Sequence, residues 1–306
     1  MSKVIPNFLV GGPPKGASTS IYFYLSQHPE IYTSPEKQTR FFSVFYDKGI
    51  EFYLKTYFSG VMDEKAVGEA TPTYFLLPFV AKRIYDFNPQ MKIIFCLRNP
   101  VERAFSGWNM RINIGTERLE FKEALEENFK QHQNLKFETE EEGRIWQEDM
   151  LRNDRLEKTG SRSYLEGGMY SHNLKAYLKY FPIEQIKVIF MEDIQNDLRM
   201  TMKEVFAFLG VDPDFVIPNI EKKNTYKKSK IKFLDPILGK NKKLSKAVSK
   251  MIPDTFKQKI LNKMYIEGSK QKMTPEDKQF AYKYFKNEII ELEKLLNKDL
   301  SNWKLT

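Results

Sequence analysis

The chain has 306 residues, 41% of them hydrophobic and 29% charged, with a net charge of +9. That length gives room for one large α/β domain or two small ones with an ample core, and no apolar run approaches the ~20 residues of a membrane span. A single cysteine, Cys96, excludes a disulfide framework and fits a reducing compartment. The aromatic residues lie in apolar, helix- or strand-like contexts without a recognised binding module, which argues against nucleic acid as a partner.

In chain order, the first predicted element is a short buried strand over Phe8–Gly11, reached within a few residues of the N-terminus and with no apolar signal segment before it. A Gly/Pro loop carrying Lys15 follows, and a helix begins near Ser18. Backbone N–H groups of Gly16 and Ala17 at a helix N-terminus, the Lys15 ammonium and the Ser18 and Thr19 hydroxyls converge on one anion, a phosphate cradle. It differs from the nucleoside-triphosphate loop G-x-x-x-x-G-K-[ST], because Lys15 precedes Gly16 instead of following the last glycine. No later strand ends in the acidic residue that would hold Mg²⁺ in such an enzyme. A P-loop kinase, the rival from that class, is disfavoured on both counts.

Further strands are predicted over Glu30–Thr33, Ala66–Glu69, Lys92–Leu97 and Lys187–Phe190, with helical patterns between them. The alternation predicts an α/β fold with a P-loop-type central parallel sheet, helices on both faces and ligands at the strands' C-terminal ends. After Leu97 comes Arg98-Asn99-Pro100, with proline suited to a first helical turn. Arg98 and Ser106, two helical turns later, can face a second phosphate on the same ligand. Residues 111–162 read as a charged helical excursion over the acceptor side of a single domain spanning 1–306. Thr274, Pro275 and Asp277 form a helix-start signature, and the helix is predicted to run to about Asn297. Between Lys222 and Lys250 there are eleven lysines and one acid, Asp235. That segment reads as a solvated face, as a clamp on an anionic nucleotide or acceptor, or as a peripheral membrane contact.

K-G-x-S-T after the first strand and R-N-P-x-E-R-x-x-S after a later one together resemble the sulfotransferases that use 3′-phosphoadenosine-5′-phosphosulfate (PAPS), most of all the heparan-sulfate and bacterial branch. Gly68-Glu69-Ala70-Thr71-Pro72-Thr73-Tyr74 is similar to that family's G-E-x-[ST]-P-x-Y turn. Gly168-Met169-Tyr170-Ser171-His172 and Glu192-Asp193 match its later helix and "ED" turn. Asn224–Ser229 looks like the loop that closes over the nucleotide. The resemblance implies that Lys15, Ser18 and Thr19 hold the 5′-phosphosulfate, that Arg98 and Ser106 hold the 3′-phosphate, and that Tyr226, Lys228 and Ser229 close on the nucleotide within a Lys-rich segment, 222–250. It implies PAPS as co-substrate, PAP as product and no metal. The expected setting is cytoplasmic, without stable membrane insertion, with a small-molecule acceptor or, in view of the lysines, an anionic glycan.

One position departs from the family pattern. The family shows its general base, a glutamate, two residues before a basic residue and Phe-Phe; here that place in Gln38-Thr39-Arg40-Phe41-Phe42 is glutamine. A carboxamide positions an acceptor hydroxyl but takes no proton near neutral pH. Three explanations stand: an acid-to-amide exchange that traps both substrates, another base such as Glu36, Glu69 or His172, or an acceptor already nucleophilic, such as a neutral amine. Each alternative base also has a structural reading. Glu69 fixes the turn at Thr71-Pro72, His172 is a helix hydrogen-bonder, and Glu36 is a solvated loop acid. A non-catalytic PAPS- or PAP-binding protein on the same fold is the remaining rival.

Overall fold

A computed structural model describes residues 5–132, 139–145, 162–220, 227–229, 265–267 and 271–305. Five strands, β1 (Phe8–Gly11), β2 (Ile31–Thr33), β3 (Ala66–Ala70), β4 (Lys92–Leu97) and β5 (Ile186–Phe190), form one sheet in the order β2-β3-β1-β4-β5. Every neighbouring pair is parallel. Such strands are covered on both faces, which is why β1 and most of β4 are apolar without a polar alternation. Phe8, Val10, Ile94 and Cys96 pack on one face, while Leu9, Ile93, Phe95 and Leu97 pack on the other, as the two-residue period of a strand requires.

On the first face lie α1 (Ser18–Leu25) and α8 (Leu198–Leu209), contributing Ile21, Leu25, Val205 and Phe206 to the core. On the second lie α2 (Gly49–Tyr57), α3 (Pro78–Phe87), α4 (Pro100–Ile114), α5 (Phe121–His132), α6 (Tyr170–Leu178) and α9 (Pro275–Leu296). A short α7 (Met191–Asn196) joins β5 to α8. The chain leaves β1 through α1 toward β2 and leaves β4 through α4 toward β5, so two adjacent strands send their crossovers in opposite directions. A crevice opens between their C-terminal ends at such a point, and both sequence motifs lie there.

The predicted strands agree with those observed to within a residue or so. β2 begins at Ile31 rather than Glu30, although the Glu30 carbonyl still accepts from the Ala66 N–H of β3 (3.1 Å). The C-terminal helix has the capping box expected of Thr274 and Asp277 and ends at Leu296 before a left-handed Asn297. Within the stretch 111–162, α4 stops at Gly115 and α5 packs against α4 and α9, while residues 133–138 and 146–161 lie outside the described residues. Arg162 and Glu117, both buried, pair at 2.8 Å and tie the end of that stretch to its start. A second sheet of two antiparallel strands, β6 (Lys227–Ser229) and β7 (Tyr265–Glu267), was not legible in the sequence. Among the described residues no helix is long and apolar enough to cross a membrane.

Candidate active site

The loop after β1 is pressed onto the end of β4. A Cβ at Gly16 would stand 2.3 Å from the Cys96 carbonyl oxygen, and one at Gly12 (φ +126°) 2.4 Å from the same atom. Only glycine permits that approach. The Gly16 N–H donates to the Pro13 carbonyl (3.0 Å), closing the turn. Lys15 and Ala17, on either side of Gly16, both adopt left-handed backbone (φ 76° and 79°), a conformation that costs an L-residue roughly 1 kcal/mol and persists where the surroundings impose it. No side chain caps α1 and no acid occupies its first turn, the condition in which an external anion supplies the cap. Gly16→Val is expected to push the loop off β4 and abolish any anion binding there, measured by calorimetry with PAP, with the sheet core intact by circular dichroism.

The second motif is built by capping. Asn99 ends β4's exit and accepts hydrogen bonds from the Val101 and Glu102 N–H groups (3.0 and 3.3 Å), with Pro100 in the first turn of α4. The Glu192 carboxylate of the "ED" turn accepts from the Asn99 N–H (3.1 Å), and Tyr170 donates to the Arg98 carbonyl (2.8 Å). Glu192 and Tyr170 thus fix the backbone on which Arg98 sits. The Arg98 guanidinium itself pairs with Glu102 one turn on (2.7 Å). Glu102 is half exposed, and such a pair stabilises by about 0–1 kcal/mol, little enough for a phosphate to take its place. Ser106 is buried on α4, and β6, which carries Lys228 and Ser229, runs beside that helix. Tyr226 and the rest of 222–250 lie outside the described residues.

Gln38 lies in the segment that follows β2 and is tied to the end of β3. Its N–H donates to the Ala70 carbonyl at the end of β3 (2.9 Å), and its side chain is exposed. Gln38 and Arg40 are both left-handed (φ 65° and 54°), and Thr39 between them is fully sequestered. The Thr39 hydroxyl donates to Glu69 (2.6 Å), as do Thr71 (2.6 Å), Tyr74 (2.9 Å) and Tyr53 (3.3 Å). Glu69 is 0% exposed. Burial pushes its carboxyl pKa up, and the four hydroxyls partly offset the rise. Its bond from Thr71 fixes the turn, the structural role read from the sequence; its bond from Thr39 also latches the 38–42 segment to β3, and its oxygens face no solvent that an acceptor could enter. Phe41 and Phe42 pack into the core as expected, Phe41 stacked on Tyr53 at 4.2 Å.

Of the remaining candidates, Glu36 is exposed, and His172 is partly buried on α6 with no hydrogen bond from its ring to a described residue. His28 is buried between Phe206 and Phe215 and bonded to the Asp212 carbonyl (3.0 Å). The structure adds one residue that the sequence reading passed over. Lys37, next to Gln38, directs its ammonium to the Thr19 hydroxyl in the cradle. A basic residue adjoining the base position was the available signal.

A five-stranded parallel sheet with oppositely directed crossovers, a glycine-tight loop after one strand and an arginine after its neighbour define an α/β protein of the P-loop-like class. Residues 6–298 match the family model described as "Sulfotransferase domain", and the chain belongs to that family. A solved sulfotransferase from Alicyclobacillus acidocaldarius superposes with a TM-score of 0.67 at 27% identity, covering 98% of this chain and 99% of that one. Among curated proteins, the chain is 27% identical to the membrane-associated sulfotransferase kil1 of Dictyostelium discoideum over 68% of its length. It is 28% identical over 96% of its length to bifunctional heparan sulfate N-deacetylase/N-sulfotransferase 4 of Mus musculus. It spans only 56% and 30% of those two proteins.

Proposed function

We propose that this chain transfers a sulfuryl group from PAPS to a hydroxyl or amine acceptor, a small metabolite before an anionic glycan. The observation that carries the reading is the pair of anion sites at adjacent strand ends, the 12–19 loop on β1 and Arg98 with Ser106 beyond β4. They suit a ligand phosphorylated at two positions, and the cradle's fit rests on the glycine-only contact with the Cys96 carbonyl. When bound, PAPS supplies an electrophilic sulfur whose bond to the 5′-phosphate oxygen breaks as the acceptor's oxygen or nitrogen bonds to sulfur.

In this reading Lys15 and the amides of Gly16 and Ala17, with the Ser18 and Thr19 hydroxyls, hold the 5′ end and stabilise charge that grows on the departing oxygen. Arg98 and Ser106 exchange their present partners for the 3′-phosphate, and Lys228, Ser229 and Tyr226 close over the nucleotide. Gln38 orients the acceptor by hydrogen bonding and takes no proton, so the acceptor's proton passes to solvent as the bond to sulfur forms. Residues 111–162 would border the acceptor. The single buried Cys96 fits a reducing, cytoplasmic setting.

Gln38 is also the observation that favours a second reading, a PAPS- or PAP-binding protein on this fold that performs no transfer. Calorimetry with PAP, without added metal, tests both, since both require binding at micromolar or tighter level. Sulfate transfer from PAPS to a panel of alcohols and amines then separates them. Absence of PAP binding would overturn the two together.

A further inference from the structure

Lys37 differs in its partner from the ion-paired lysines. Lys65, Lys82, Lys175, Lys187, Lys203, Lys298 and Lys304 each pair with a carboxylate. Lys37 is half-buried, its hydrogen-bond partner is the Thr19 hydroxyl, and among the described residues no carboxylate lies within ion-pair distance of it. A desolvated ammonium without a counter-charge is costly and is retained where an anion completes the site.

Its aim is imposed from several sides. Ser34 is held by Tyr22 of α1 at its carbonyl and donates its own hydroxyl to the Glu36 carbonyl (2.8 Å), while its N–H donates to the Gly68 carbonyl (2.9 Å). On the other side of Lys37, the left-handed Gln38 is bonded to Ala70 and Thr39 is latched to Glu69. The segment therefore delivers one side chain into the anion loop and leaves the next, Gln38, exposed at its mouth.

We propose that Lys37 is a second cation of the 5′-phosphosulfate cradle, resting on the Thr19 hydroxyl in the free protein and shifting to the ligand's 5′-end oxygens on binding. It then ties the acceptor-side segment to the co-substrate, so that occupancy of the cradle and the placing of residue 38 are linked. Burial lowers the Lys37 pKa in the free protein, and an anion alongside would restore the charged form. Lys37 is thereby a binding cation in the complex and does not replace the missing base. This inference rests on the PAPS reading above and adds a residue to it.

The test compares PAP with adenosine 3′-monophosphate, which lacks the 5′-phosphate, by calorimetry on the unsubstituted chain, Lys37→Met and Lys37→Arg. Lys37→Met is expected to weaken PAP by roughly 10–100-fold, the scale of a charge-assisted hydrogen bond, and to leave adenosine 3′-monophosphate unchanged. Lys37→Arg should recover most of the loss. The unchanged 3′-monophosphate affinity also shows that the variant is folded. Equal weakening of both ligands would make Lys37 a structural tether, and unaltered PAP affinity would remove it from the cradle; either overturns the inference alone. Failure of the unsubstituted chain to bind PAP overturns the inference and the PAPS reading together.

Discussion

Gln38→Glu is expected to raise the rate of sulfuryl transfer from PAPS to a hydroxyl acceptor by roughly 10²–10⁴-fold, the usual contribution of a positioned base. The exchange is isosteric, and the backbone is held independently of the side chain by the Ala70 carbonyl and by Thr39 on Glu69. The new carboxylate therefore occupies the place that Gln38 fills now. PAP affinity should change little or fall slightly, because the substitution adds negative charge near a phosphate site. The pH profile supplies a second readout: transfer by the glutamate form should fall as pH drops through that carboxylate's pKa, a limb the glutamine form lacks. Equal rates in the two forms would mean that the acceptor's proton leaves without help from position 38. PAP binding with no transfer by either form would favour the non-catalytic reading.

Glu69→Ala is expected to cost at least about 3 kcal/mol of stability, since it orphans the hydroxyls of Thr39, Thr71, Tyr74 and Tyr53 in a sealed site and each such group costs about 1–3 kcal/mol, not additively. Against a total of about 5–15 kcal/mol for an ordinary domain, that is a large fraction, and the urea midpoint should drop accordingly. Glu69→Gln keeps the shape and removes the charge. Because the folded-state pKa of Glu69 is raised by burial, the folded protein binds its proton more tightly than the unfolded chain does. The stability this group contributes is full below the ordinary glutamate pKa and declines as pH rises through the folded value. The stability gap between the unsubstituted chain and Glu69→Gln should thus narrow as pH rises from about 4. A gap that widens over that range would mean that the hydroxyls outweigh burial.

The strands and the two motif loops were readable because their signals are local. A buried parallel strand must be an unbroken apolar run, as in Lys92–Leu97, and a loop that crowds a neighbouring carbonyl must use glycine, as at Gly16. The capping box at Thr274 and the helix start at Pro100 are equally short-range. Misreadings and omissions fall where partners are far apart in sequence. Lys37 was passed over although it reaches Thr19 in α1, and His28 proved buried by aromatic rings from the far end of α8 and beyond it. The β6–β7 pair joins segments whose pairing no local pattern specifies.

By itself, the sequence determined the α/β class, the position of the anion loop, the arginine after β4 and the amide at position 38, since each depends on residue type within a few positions. Only the tertiary structure decided that Glu69 is sealed under four hydroxyls, that Arg98 rests on Glu102, and that Lys37 reaches Thr19. Those outcomes depend on burial and on the direction of long side chains, which arise when distant segments pack and water is excluded between them.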